Sequence, residues 1–327
     1  MSTRPPGAPE GTTGGLVAVH AHPDDETLAT GALLATWAAA GRDVVVVTCT
    51  RGERGEVIGE TLAHLEGDGP ALAAHREREL AAARAALGVR GVFLDTLPDE
   101  RAAWSGAGAG ADEGGDDVAH EPAARYEDSG MVWTGSGRAG ATADVPAGAF
   151  VAVPLDEAAR RLAGLLRAVR PAVVVTYDPE GGYGHPDHVR AHAVTHRALR
   201  LAARGDDGVH PTVLHAAQGE RELRAGRAAL ADPAVEAALG DESAALTLPD
   251  PAGPVPPVAV DDERVDVRVP VGPVRDRVLA ALRAHATQVR AVRALDGPAP
   301  LAGCWALSND VLAPLLAEEG YVRVTTA

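Results

Sequence analysis

The sequence predicts an α/β fold: a Rossmann-like, mostly parallel sheet flanked by helices, with a smaller C-terminal α/β cap. Three observations predict it. Short β-branched runs at Leu16 to Val19, Asp43 to Thr48 and Val173 to Tyr177 have the composition of strands buried on both faces. Helical apolar patterns separate those runs. Two dense groups of histidine and carboxylate stand directly after strands, at the edge where open α/β sheets bind their ligands.

Taken in order, Met1 to Gly15 is rich in Pro, Gly and Thr and reads as a flexible tail. The strand Leu16 to Val19 follows Gly14-Gly15, and Thr27 to Ala40 carries a helical pattern closed by Gly41. His20-Ala21-His22-Pro23-Asp24-Asp25-Glu26 therefore lies in a strand-to-helix turn. Asp43 to Thr48 completes a right-handed βαβ unit. Thr50 to Glu56 is a polar, Gly-punctuated loop leaving the same sheet edge. Ala71 to Leu87 reads as a helix stopping at Gly88, and Val92 to Leu94 as a short strand. From Trp104 to Gly148 the pattern dissolves into Gly, Ala, Asp and Pro, with Gly106 to Gly110 too flexible to pack. Inside this excursion Arg125 to Met131 mixes an aromatic with both charges, and irregular loops hung from a rigid sheet are where substrate contacts gather.

Asp156 to Val169 reads as a helix ended by Pro171, and Val173 to Tyr177 as the strand before the second dense group, Asp178 to His188. Pro186 and Asp187 are helix-start residues for a helix over His188 to Arg200. Both groups leave carboxyl ends of one parallel sheet and meet across its crevice. These elements form a catalytic domain over 16–204. Residues 205–327 are expected to form the cap: a strand at Thr212 to His215, a helix over Glu220 to Leu230, a strand at Val265 to Val271 and a long helix over Gly272 to Val292. Ser308-Asn309-Asp310 reads as an N-cap for a last helix over Val311 to Glu319.

Composition narrows the function. The 46 acidic and 30 basic side chains of the 327-residue chain leave a formal charge of −16, which repels phosphate backbones and anionic lipid heads. Nucleic acid and membrane are thereby excluded as expected partners. No apolar run is long enough to span a bilayer, and the start lacks a basic-then-apolar leader, so the expected location is cytoplasmic. Cys49 and Cys304 make no disulfide framework, and Cys49 in a strand pattern reads as a small buried thiol.

The chemistry follows from the two groups. A catalytic zinc takes three N/O/S protein ligands and leaves a fourth position open, and His22, Asp25 and His188 supply such a set. Zinc lowers the pKa of water from ~15.7 toward ~7, so a nearby carboxylate can complete deprotonation at neutral pH. Asp24 is the candidate base. His185 and Tyr183, in a Gly-hinged loop, are placed to stabilise an oxyanion and protonate a leaving amine. The parts describe metal-assisted hydrolysis of an amide or ester. A dinucleotide site is disfavoured, because no Gly-x-Gly-x-x-Gly follows the first strand. His20 reads as structural, His192 and His196 carry no assigned role, and His215 and His285 are lone histidines.

Ala21-His22-Pro23-Asp24-Asp25-Glu26 together with Gly184-His185-Pro186-Asp187-His188 resembles the signature of the LmbE-like, or N-acetylglucosaminyl-phosphatidylinositol de-N-acetylase-like, metal-dependent deacetylases. Val47 to Thr50, Gly55 to Gly59, Asp128 to Met131, His285 to Gln288 and Ala306 to Asn309 extend the resemblance toward the branch acting in mycothiol biosynthesis. The resemblance implies zinc, exchangeable for ferrous iron (Fe2+), on His22, Asp25 and His188, with Asp24 as base and His185 as general acid or oxyanion partner. It implies Tyr183 as a mobile residue polarising the substrate carbonyl. It places Arg76, Asp128 and Glu56 at the sugar and inositol of a small-molecule N-acetylglucosaminyl-inositol substrate. The chain departs from the family pattern before Arg125 and from about 216 to 262. A mycothiol S-conjugate amidase, a deacetylase of another N-acetyl sugar and a non-catalytic metal-dependent sugar-binding protein stand as alternatives.

Overall fold

The computed structural model describes residues 5–8, 13–99, 125–133 and 139–324. In chain order its elements begin β1 (Leu16–His20), α1 (Asp25–Ala39), β2 (Val44–Thr48), α2 (Gly69–Leu87) and β3 (Arg90–Phe93). A small hairpin follows, β4 (Val132–Trp133) and β5 (Ala139–Gly140), then α3 (Leu155–Val169), β6 (Val173–Thr176), α4 (Pro186–Ala202) and β7 (Thr212–Gly219). The remainder is α5 (Glu220–Ala229), α6 (Pro233–Leu239), β8 (Ala259–Val260), β9 (Val267–Pro270), α7 (Arg275–Ala284), β10 (Arg290–Ala294), β11 (Leu301–Ala306), β12 (Leu312–Leu316) and β13 (Glu318–Val324).

The main sheet runs β3-β2-β1-β6-β7-β13-β9, with β8 pairing the end of β7. Strands β3 to β7 in that order are parallel, whereas β13 is antiparallel to both its neighbours. Alternation along the strands splits the apolar side chains between two cores. Leu16, Ala18, Val44, Val46, Val173 and Val175 face one core, under Leu33, Leu34 and Trp37 of α1 and Val278 and Leu282 of α7. Val17, Val19, Val45, Val47 and Val174 face the other, under Leu162 and Leu166 of α3 and Val194 and Leu199 of α4. Continuous valine runs are therefore required, because both faces are covered. Cutting one of these leucines to alanine costs about 2–5 kcal/mol.

Four expectations need correction. The boundary at 204/205 does not divide the molecule: β7, β9 and β13 continue the sheet, and the carboxylate of Glu319 accepts from the backbone N–H groups of Ala32 and Leu33 in α1 at 2.6 and 2.9 Å. What remains as a smaller unit is the antiparallel sheet β10-β11-β12, whose apolar side packs with Leu230, Val235 and Leu239. The tail is anchored where it is described, since Ala8 is buried and the Trp37 indole donates to the carbonyl of Pro6 at 2.9 Å. The helix expected over 272–292 ends at Ala284, where His285 turns inward, and β10 follows. The helix expected over 311–319 is instead β12 and the start of β13, with Asn309 Oδ1 accepting from Val311 N–H in the turn before. The Gly106 to Gly110 run of the excursion lies outside the described residues, while its end forms the β4-β5 hairpin.

The sheet order reverses at β1. From β1 the chain first adds β2 and β3 on one side, then β6 and β7 on the other, so a crevice opens beyond the carboxyl ends of β1 and β6. The two His/carboxylate groups follow these two strands.

Candidate metal centre and active-site cavity

The turn after β1 holds Asp24 at φ 110°, a conformation costly for a residue with a Cβ. Its neighbours fix it there. Glu26 Oε2 accepts from Asp24 N–H at 3.0 Å, and the Asp24 carbonyl accepts from Thr27 and Leu28 N–H at 2.9 Å each. Arg76, buried on α2, donates through Nη1 to Gly52 O at 2.7 Å and through Nη2 to Pro23 O, and Nη2 also lies 3.3 Å from Asp24 Oδ2.

Three side chains converge beside that turn. Asp25 Oδ2 lies 3.3 Å from His22 Nδ1 and 3.2 Å from His188 Nε2, and accepts from His22 N–H at 2.9 Å. His188, from the first turn of α4, directs Nδ1 to the carbonyl of Gly181 at 3.2 Å, which leaves Nε2 buried with no hydrogen-bond partner. His22 Nε2 lies 3.2 Å from Asp187 Oδ2 and 3.6 Å from Asp128 Oδ1, and Ser129 donates to Asp187 through both its N–H (2.9 Å) and its hydroxyl. If each ring gives its proton to the outer oxygen, two nitrogen lone pairs face the Asp25 carboxylate. A divalent cation fits between such donors. Burial opposes charge on both groups, but His188 and His22 outweigh it and hold Asp25 well below the usual carboxylate range, while Asp128, Asp187 and Asp25 raise His22 well above the usual imidazole range. The donor set and the carboxylate behind His22 match how proteins hold a divalent transition metal.

Around this point lies a cavity of about 480 Å³. Of the expected site residues it is lined by His22, Asp24, Asp25, Tyr183, His185, Arg76, Asp128 and Glu56, while His188 lines an adjoining pocket that shares Asp25 and Tyr183 with it. Burial, reinforced by Asp25 and opposed by Arg76, pushes Asp24 up to about 7, in the range useful to a base at neutral pH. His185 caps α4, its Nδ1 accepting from Asp187 N–H at 3.1 Å, so the neutral ring carries its proton on Nε2. Burial and the neighbouring His22 and His188 hold that ring neutral. Its centroid is 4.6 Å from that of His22. Tyr183 stands edge-on to His188 at 4.9 Å, and burial with Asp25 beside it raises its phenol well above the usual value, so it remains a proton donor.

The substrate candidates are less uniform. Asp128 is buried, with Oδ1 held by Gly130 N–H at 2.8 Å; Glu56 sits exposed at the cavity rim; Arg76 reaches the lining while its named donors serve the turn. Sequence reasoning missed Asp187 as the residue behind His22 and read it only as a helix starter. It also missed Arg54, Val132 and Leu307 in the cavity wall. Their signal is weak, because Arg54 and Leu307 lie in loops and Val132 opens a two-residue strand, none with a pattern of its own.

A His/Asp cluster at the switch point of an open sheet, with a carboxylate and a phenol beside it, defines a hydrolytic α/β enzyme. A family model described as "PIG-L: GlcNAc-PI de-N-acetylase" matches residues 17–199. A 1D-myo-inositol 2-acetamido-2-deoxy-alpha-D-glucopyranoside deacetylase of Kineococcus radiotolerans is 44% identical, over 94% of this chain and 76% of that protein. The same-named deacetylase 1 of Saccharopolyspora erythraea is 41% identical, over 95% of this chain and 89% of its own. A solved deacetylase–teicoplanin complex from teicoplanin biosynthesis is 16% identical, with a TM-score of 0.48 over 95% of this chain and 99% of that one. The chain belongs to the GlcNAc-PI de-N-acetylase family and is an N-deacetylase. Among the described residues no helix is long and apolar enough to cross a membrane.

Proposed function

We propose that the protein removes acetate from 2-acetamido-2-deoxy-α-D-glucopyranosyl-myo-inositol, giving glucosaminyl-inositol for mycothiol biosynthesis in the cytoplasm, with zinc held by His22, Asp25 and His188. The observation that carries the metal centre is the buried, unpartnered His188 Nε2 facing Asp25. The substrate reading draws on the curated relatives, which are named for this reaction, and on a cavity walled by Asp128, Glu56, Arg54, Gln288 and Ser308, polar groups suited to a ligand made of hydroxyls.

Zinc, when bound, acidifies water and polarises the acetamide carbonyl. Asp24 accepts the proton of the attacking water, helped by a carboxyl whose affinity for protons is raised by burial. His185 Nε2–H and the Tyr183 hydroxyl donate to the oxygen that becomes negative as the carbonyl is attacked. The proton gathered by Asp24 goes to the departing amine, which leaves acetate behind. Asp187 keeps His22 in the tautomer that presents Nδ1 inward.

Release of free amine from a panel of N-acetyl sugars and thiol conjugates tests the reading. N-acetylglucosaminyl-inositol is expected to lead plain N-acetylglucosamine and the mycothiol S-conjugates in kcat/KM. Preference for the S-conjugates would assign the chain to amidase chemistry instead.

A further inference from the structure

A second group of nitrogen donors lies outside the cavity: His192 and His196 on α4 and His215 on β7. Each offers a ring nitrogen, and the three lie within 4.8 Å of one another. The helix explains half of this, since residues four apart share a face, and the rings of His192 and His196 have centroids 4.3 Å apart. The sheet explains the rest. Pairing of β6 with β7 sets His215 opposite Thr176, beneath that face, with its ring centroid 5.0 Å from His192 and 5.1 Å from His196.

The ring contacts suit ligation. His192 Nδ1 lies 2.9 Å from the Tyr177 carbonyl, so a neutral ring donates there and keeps its lone pair on Nε2. Backbone carbonyls play this outer role behind metal-bound histidines. Burial first, then His192 and Arg200, push His196 down to about 4, and burial with His192 and His196 pushes His215 down to about 3, so crowding of the three rings disfavours their protonation together. Three imidazole nitrogens form a donor set that favours Zn2+, Co2+, Ni2+ or Cu2+ and disfavours the oxygen-seeking Mg2+ and Ca2+. His196 Nε2 and His215 Nε2 are 2.8 Å apart, which in the metal-free chain is an N–H···N hydrogen bond. Ligation replaces that bond, the donor ring moving its proton to Nδ1.

We propose that His192, His196 and His215 form a second transition-metal site, separate from the His22/Asp25/His188 centre. The two are mechanically linked. Tyr177, whose carbonyl holds His192, has its ring stacked on His188 at 4.2 Å, and His188 precedes His192 by one helical turn. An ion on the outer triad ties α4 to β7 and steadies the helix that presents His188.

The test counts metal. Protein stripped with a chelator is reloaded with Zn2+, freed of excess by gel filtration and analysed for zinc per chain, for wild type, Asp25→Ala, His196→Gln and His215→Ala. Wild type is expected to hold two ions and each single variant one. In the Asp25→Ala background zinc should still raise Tm, and adding His196→Gln should abolish that rise. One ion in wild type, or an unchanged count in His196→Gln, overturns the proposal and leaves a His–His hydrogen bond in its place. Should His215→Ala fail to fold, the half-buried His196→Gln substitution gives the reading alone.

Discussion

His285 Nε2 lies 2.8 Å from Glu26 Oε1, a contact between residues 259 apart in sequence with both side chains fully buried. The other Glu26 oxygen holds the N–H of Asp24. The C-terminal part of the chain thus reaches through one carboxylate to the strained residue proposed as base. Removing one partner of a buried ion pair leaves an uncompensated charge, so His285→Ala should lower stability by about 3–5 kcal/mol and reduce turnover. Urea unfolding of wild type and variant checks the first part.

The same pair sets a pH dependence. Burial works against both charges, but Glu26 raises His285 above its usual range, and His285 with the Thr27 hydroxyl lowers Glu26 below its own. For His285 the stabilisation is complete below its unfolded value near 6.5 and is lost as pH rises through the higher folded value; for Glu26 it is present above the usual 4.5 and lost as pH falls through the lower folded value. The stability gap between wild type and Glu26→Gln should therefore be widest between about pH 5 and 6.5 and shrink at higher pH. A gap that widens steadily above pH 7 would refute the pairing.

The two adjacent aspartates should separate cleanly. Asp25→Ala should lose the ion at the His22/Asp25/His188 centre, whereas Asp24→Asn should retain it and lose turnover on the order of 10²–10⁴, the usual contribution of a general base. Metal analysis beside single-turnover rates distinguishes them, and equal metal loss in both would reverse the assignment.

Asp187 supports His22 from behind. Asp187→Asn should weaken metal affinity about 10–100-fold while leaving the ligands in place, which competition with a chromophoric chelator measures.

Arg76 is better explained by the turn than by the inositol. Because its guanidinium holds Gly52 O and Pro23 O and reaches Asp24, Arg76→Ala should cut kcat/KM alike for N-acetylglucosamine and its inositol-linked form. A loss confined to the inositol-linked sugar would return Arg76 to substrate binding. Asp128→Ala, by contrast, removes a buried carboxylate that lines the cavity and also lies 3.6 Å from His22 Nε2, so its loss should lower metal affinity as well as turnover.

The central strands and the two site motifs were legible because parallel strands covered on both faces demand unbroken apolar runs, and because the switch point carries both groups to one crevice. The C-terminal third was not. Gly272 to Val292 has a helical period, yet the buried pull of Glu26 on His285 and of Glu79 on Thr287 ends the helix, and Val289 and Val292 are buried without it. Val311 to Glu319 is apolar enough for either structure; Pro314 was the clue, tolerated on the edge strand β12 and poorly in a helix. Strands β9 and β13 join the main sheet by long-range pairing that no local pattern announces. Asp187 and Glu26 carry ordinary helix-start identities, so their partners were invisible until the fold brought His22 and His285 to them.

The most direct test of the central claim follows free amine from N-acetylglucosaminyl-inositol in wild type and His188→Ala, each metal-free and then reloaded with about two equivalents of zinc. Wild type is predicted to be silent when stripped and restored on reloading, with Fe2+ run alongside to compare the two metals, whereas His188→Ala should neither retain the ion at the centre nor recover. Full activity in the stripped wild type, or recovery of His188→Ala with zinc, would contradict the account.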